Sequence, residues 1–189
     1  MSTETRQRLK ELVELYSLQF GDFMLSSGQH SSYYMDSKMT TLSPEGAYLV
    51  GKEVFDILKN TGIVAVGGPT IGADPIVAAV ALISFMEGLP MPAFMVRKES
   101  KEHGTQKFIE GCLPCNKDGG SRVAIVEDVI TTGASTLHTI RNVEAQGYKV
   151  VKVAALIDRN QGGSDKLREE GYDFSAILSC DSEGIITVL

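Results

Sequence analysis

The chain has no tryptophan, only three cysteines and no excess of positive charge among its 189 residues. Each scarcity closes off a class of protein. So few cysteines cannot build the disulfide framework on which small secreted domains depend. The Cys112-x-x-Cys115 pair has no matching second pair, whereas a structural zinc site is closed by a full tetrahedral set of ligands. Pro114, Asn116, Asp118 and Gly119-Gly120 around it read as a turn and not as the helix start of a redox motif, so reduced bystander thiols are expected. A formal charge of −6 argues against a nucleic-acid surface, which needs a basic stripe. No apolar run reaches membrane-spanning length, and the N-terminal stretch is charged where a signal peptide would be apolar. The expected location is cytoplasmic.

What is present is an alternation of strand and helix signals along one domain, 1–189, long enough to bury roughly 70% of its unfolded surface. Short apolar runs rich in β-branched residues at 63–66, 93–96, 123–126 and 150–157 read as buried strands, the first stopped by Gly67-Gly68. Leu9, Leu12, Val13, Tyr16 and Phe20 share helical spacing behind a Ser2 or Thr3 cap. Ser43-Pro44-Glu45 opens a second helix bearing Ala47, Val50, Val54 and Leu58 on one face. Asp74-Pro75 opens a third that runs toward Met86. Such alternation predicts an α/β fold, a central, mainly parallel sheet flanked by helices. Ligands of these sheets collect outside the carboxyl ends of the strands, which brings the loops 67–74, 97–111, 127–135 and 158–163 to one edge.

The run VAIVEDVITTGAST, residues 123–136, carries the most chemistry. A buried strand leads into the paired carboxylates Glu127 and Asp128, which can accept hydrogen bonds from sugar hydroxyls. Val129 and Ile130 lead into Thr131, Thr132, Gly133, Ala134 and Ser135, a turn of small and hydroxylated residues before a helix. That turn can aim backbone N–H groups, and the positive end of the helix dipole, at a phosphate. No Walker A lysine motif and no G-x-G-x-x-G follows any strand. The charged segment after the 93–96 strand offers Arg97, Lys98, Lys101 and His103 to a polyphosphate. Gly67-Gly68-Pro69-Thr70-Ile71-Gly72 allows close backbone approach to a second anionic group. Arg159, just past a strand, suits bidentate pairing with a substrate carboxylate. The segment SSGQHSSYYMD, 26–36, is too rich in Ser and Tyr for a core element. It either offers backbone and aromatic contacts to a flat heterocycle or forms a plain loop with half-buried tyrosines.

The 123–136 run resembles the phosphoribosyl pyrophosphate (PRPP) signature of the type I phosphoribosyltransferases. With RKESKEHGTQKFIEG (97–111), SSGQHSSYYMDS and LIDRNQGG (156–163), the chain is similar to the orotate phosphoribosyltransferase family over nearly its whole length. The resemblance implies the type I fold, with a small hood built from N-terminal and C-terminal segments. It implies transfer of phosphoribose from PRPP to orotate, giving orotidine 5′-monophosphate and pyrophosphate, on the route to UMP. In that reading Glu127 and Asp128 hold the ribose hydroxyls, Val129 and Ile130 belong to the PRPP site, and Thr131 to Ser135 cradle the 5-phosphate. Arg97, Lys98, Lys101 and His103 surround the pyrophosphate, and Thr131 and Arg159 address orotate. Mg²⁺ arrives on PRPP and not on a protein metal site. The family works as a homodimer whose mobile loop, around Lys98, reaches the neighbouring subunit's site. Family members often carry lysine where this chain has Ser26 and within the loop where it has Thr70-Ile71-Gly72. Two alternatives stay open: transfer to another base, or a PRPP-sensing regulator without catalysis.

Overall fold

The computed structural model describes residues 3–24, 30–98, 108–116 and 119–189. Helix α1 (Thr3–Leu12) buries Leu9 and Leu12. The chain then passes through one π turn, Val13–Ser17, and leaves helical geometry. Phe20, expected on that helix, lies instead in strand β1 (Leu18–Met24) and is exposed. The reason is tertiary: β1 pairs antiparallel with β2 (His30–Met35), and ladder formation outweighs a local helical spacing. The same hairpin corrects the reading of the Ser- and Tyr-rich segment. Residues 30–35 form a strand, and Tyr33 is fully buried, at 1% exposure.

A short helix α2 (Lys38–Thr41) leads to Ser43. Its Oγ accepts from the Gly46 amide at 3.1 Å and donates to the Thr40 carbonyl at 2.8 Å. With Pro44 and Glu45 in the first turn, this cap starts α3 (Pro44–Leu58), whose buried stripe includes Val50, Val54 and Leu58. The remaining elements are β3 (Ala65–Pro69), α4 (Asp74–Met86), β4 (Ala93–Val96), β5 (Ile109–Gly111), β6 (Arg122–Ile130), α5 (Ala134–Glu144), β7 (Lys149–Asp158), α6 (Gly163–Glu169), β8 (Phe174–Cys180) and β9 (Ile186–Val188).

Seven strands form the main sheet in the order β5-β4-β3-β6-β7-β8-β9. The inner strands β4, β3, β6, β7 and β8 run parallel, and β5 and β9 close the edges antiparallel. Alternate residues of β6 enter opposite cores. Ala124 and Val126 join the side chains of α1, α3 and α4, whereas Val123 and Ile125 join those of α5 and α6. Burial on both faces is why these strands read as unbroken apolar runs. This is the mainly parallel, helix-flanked sheet that the alternation predicts.

Two strands run further than their apolar stretches suggest. β3 continues through the glycines meant to stop it, because they serve close packing and not a turn. A Cβ on Gly67 would stand 2.2 Å from the Phe94 ring, and one on Gly68 2.3 Å from the Val126 carbonyl oxygen. β6 continues through Glu127 and Asp128 because β7 pairs with it as far as Ile130 and Asp158. The β1–β2 hairpin rests on the turn between β8 and β9, where a Cβ on Gly184 would touch the rings of Phe20 and Tyr33. β9 itself belongs to the main sheet, so the C-terminal share of the hood is that turn.

Removing the Ser43 cap tests the helix that carries much of this packing. Ser43→Ala is expected to cost about 1 kcal/mol, seen as a lower urea midpoint at unchanged m-value.

Candidate active site

The carboxyl ends of β3 and β6 open into a cleft of about 500 Å³. Its walls include Lys38, 69–72, Lys98, Glu127, Asp128 and Ser135. Glu127 is buried at 6% exposure. Burial first, and the adjacent Asp128 charge second, push its carboxyl well above the usual range. Thr136 works against that shift by donating its hydroxyl to Glu127 Oε2 at 3.0 Å. Asp128 accepts a hydrogen bond from the Ser37 hydroxyl on the other side. Its carboxylate occupies the volume that a side chain at 72 would fill: a Cβ on Gly72 would lie 2.4 Å from it. Lys38 pairs with Asp36 at 2.6 Å. That bond raises the ammonium pKa, with the Asp128 charge adding to it. A cis peptide joins Thr70 and Ile71 in the facing loop.

The turn between β6 and α5 has the form that anion binding needs. Gly133 caps α5 in a left-handed conformation, φ 74°, and its carbonyl accepts from the Leu137 amide at 2.9 Å. The amides of Ala134, Ser135 and Thr136 therefore have no intrahelical acceptor and stand at the positive end of the helix dipole. The loop after β7 braces this turn, backbone against backbone. Gly163 N donates to Thr131 O and Arg159 N to Ile130 O, both at 2.9 Å. A Cβ on Gly163 would come within 2.5 Å of the Thr131 carbonyl oxygen, so no larger residue fits.

The residues singled out by sequence divide into three groups. Glu127, Asp128, Val129, Ser135 and Lys98 line the cleft together, with the rest of the 131–135 turn running on from the end of β6. Ile130 is buried and packs in the core, so its side chain is structural. Arg97 borders a separate, smaller hollow with Thr70, Asp74 and Glu110. It pairs there with Glu110 at 2.6 Å, and its backbone N–H donates to Phe108 O. Arg159 lies outside the main cleft's walls and turns toward the hood, donating to the Tyr33 hydroxyl. Lys101, His103 and Ser26 lie outside the described residues. Cys112 and Cys115 are free and exposed, and Cys180 is free and buried.

Sequence reasoning missed Ser37, Lys38 and Thr136. The first two sit at and just past the end of the 26–37 motif, and a carboxylate pair in need of donors was the signal for all three.

A family model for the phosphoribosyl transferase domain matches residues 45–181. Orotate phosphoribosyltransferase of Aquifex aeolicus is 43% identical over 176 residues, covering 92% of this chain and 94% of its own. That of Nostoc sp. is 42% identical over 174 residues, covering 92% and 82%. The chain belongs to the orotate phosphoribosyltransferases. A solved member, from Mycobacterium tuberculosis in complex with PRPP, superposes with a TM-score of 0.76 at 34% identity, over 93% of this chain and 96% of that one. Within this phosphoribosyltransferase the cleft at the ends of β3 and β6 is the candidate site.

The raised Glu127 pKa has a consequence for stability. The folded protein holds that proton more tightly than the unfolded chain. The stabilisation it brings is full at acid pH and is lost as pH climbs past the ordinary carboxylate value and through the raised one. Glu127→Gln, neutral at every pH, should match the parent near pH ~4 and unfold at higher temperature by pH ~8. Thermal unfolding across that range checks it, and a Tm difference that does not widen with pH contradicts it.

Proposed function

We propose that this phosphoribosyltransferase domain, spanning 1–189, moves the 5-phosphoribosyl group of PRPP onto orotate. The products are orotidine 5′-monophosphate and pyrophosphate, in the cytoplasmic synthesis of UMP. The observation that carries the reading is one cleft holding two carboxylates beside a glycine-opened helix start. A phosphorylated pentose has the matching pattern: hydroxyl donors along one side and a dianion at one end.

In this reading Glu127 and Asp128 accept from the ribose hydroxyls, and the amides of 131–135 receive the 5-phosphate. Lys98, Lys101 and His103 gather on the pyrophosphate, and Arg97, paired with Glu110 in this structure, is the fourth cation of that set. The reaction breaks the bond between the anomeric carbon and pyrophosphate. The electron pair leaves with the diphosphate, and a ring nitrogen of orotate, giving up its proton, attacks the opposite face of the sugar. Charge develops on both fragments, so catalysis is a matter of placed dipoles and charges more than of a nucleophilic side chain. Thr131 and Arg159 position the base, Arg159 through its carboxylate. The hard carboxylate oxygens at the cleft suit Mg²⁺, while among the described residues no cluster of three acidic, His or Cys side chains could hold it unaided. Asp128 is the cleft carboxylate that would face Mg²⁺ brought in by PRPP, and the ion would supply neutralisation of the leaving group's charge.

A homodimer is supported by an apolar groove of about 450 Å³ between α3 and α4, lined by Leu42, Tyr48, Leu82 and Met86. All four are more than half exposed in the single chain. In this reading the segment around Lys98 of each copy serves the neighbouring subunit's site.

With PRPP and Mg²⁺, pyrophosphate release is expected with orotate and not with uracil or adenine. Release with another base would give the alternative transferase, and PRPP binding without release with any base a regulator. Lys101→Ala should cut turnover by about two to three orders of magnitude without moving the thermal transition. Near-normal turnover would remove Lys101 from the mechanism.

A further inference from the structure

We infer that Tyr33 aims Arg159, holding one edge of the guanidinium so that its other edge is presented to the carboxylate of the base. The inference deepens the orotate reading above and rests on it.

Tyr33 comes from β2, in the hood, and its ring is buried in the core beneath. Its hydroxyl donates to the Asp181 carbonyl at 3.1 Å, in the turn between β8 and β9. Both oxygen lone pairs then face donors: Arg159 Nε at 2.9 Å and Arg159 Nη2 at 2.6 Å, with Cys180 Sγ a further neighbour at 3.5 Å. The guanidinium carbon stands 4.7 Å from the ring centroid. Burial first, then the Cys180 contact, raises the Tyr33 pKa to about 12, so the hydroxyl keeps the proton that it gives to Asp181.

A guanidinium is planar and offers two usable edges. Nε and Nη2 make one, and it is taken by a single oxygen. Nη1 and Nη2 make the other, and among the described residues nothing bonds Nη1. This second edge carries two parallel N–H groups at the spacing of a carboxylate. The backbone of Arg159 is separately tied to the end of β6 through Ile130. Main chain and side chain are thus fixed by different parts of the fold, the sheet and the hood. A long side chain that would otherwise sample many rotamers meets its ligand already ordered. Tyr33 is therefore a positioning residue for base choice, since orotate differs from uracil only by that carboxylate.

Steady-state kinetics of Tyr33→Phe, Arg159→Ala, Arg159→Lys and the Tyr33→Phe/Arg159→Ala double variant test this. Tyr33→Phe is expected to raise the KM for orotate about tenfold. The KM for PRPP, and kcat at saturating orotate, should stay within about twofold. In the double variant the added effect of Tyr33→Phe should vanish, because the hydroxyl acts through the arginine. Arg159→Lys should weaken orotate as Arg159→Ala does, since a point charge cannot grip the hydroxyl and offer a two-bond edge together. The inference is overturned if Tyr33→Phe leaves the orotate KM unchanged while Arg159→Ala raises it. It is equally overturned by a Tyr33 effect of the same size without Arg159, or by an Arg159→Lys enzyme with the parent's orotate KM. An unchanged orotate KM in Arg159→Ala overturns the carboxylate reading itself, and the aiming role with it.

Discussion

Two neighbouring negative charges at the end of a buried strand are expensive, and much of the surrounding structure is arranged around them. Although successive strand residues start toward opposite faces, both carboxylates border one cleft, and the Asp128 charge is felt at Glu127. Each is then met by one neutral donor from a different element, Thr136 of α5 and Ser37 just before α2. A lysine or arginine in either place would stabilise the charge more, but would also engage the remaining acceptor positions. A hydroxyl donates a single proton and leaves those oxygens open to further donors. The charge cost that remains falls on Glu127, whose proton is held more tightly than usual. A bound ligand with hydroxyl donors relieves it.

The opposite requirement governs the turn beyond, where the protein must keep unpaired amides available without letting the chain collapse on them. It does so by bracing the turn from behind with main chain. The loop after β7 touches the turn through the 163 amide and the 159 amide, and glycines at 133 and 163 let the two backbones approach within hydrogen-bonding distance. Side chains could not hold the turn so close to a second backbone without shielding the amides.

The sheet, the helix starts at 43–45 and 74–75, and the carboxylate-to-helix segment were legible in sequence because each follows from local chemistry. A hydroxyl cap, a proline in a first helical turn and a β-branched run carry their meaning within a few residues. The hairpin at 18–35 was not legible, since helical spacing in the first strand and serines in the second both point elsewhere. Only their pairing, and the core that receives Tyr33, decide it. The glycines of β3 misled for a related reason: a glycine that makes room for Phe94 cannot be told from one that makes a turn until Phe94 is in place. At the site, the carboxylates and the glycine-opened turn were visible, whereas the pairing of Arg97 with Glu110 and of Arg159 with Tyr33 required the third dimension.

Glycines 67, 68 and 72 together describe a boundary made of missing atoms. An aromatic ring, a carbonyl and a carboxylate each stand where a methyl group would have been. Gly67 and Gly68 spend that room inside the core, whereas Gly72 borders the cleft and spends it on the acid, which stands at the surface that a ligand meets. Drift at these positions has little room for compromise. An alanine does not weaken a contact there but evicts a neighbour, and at 72 the neighbour evicted is the acid itself.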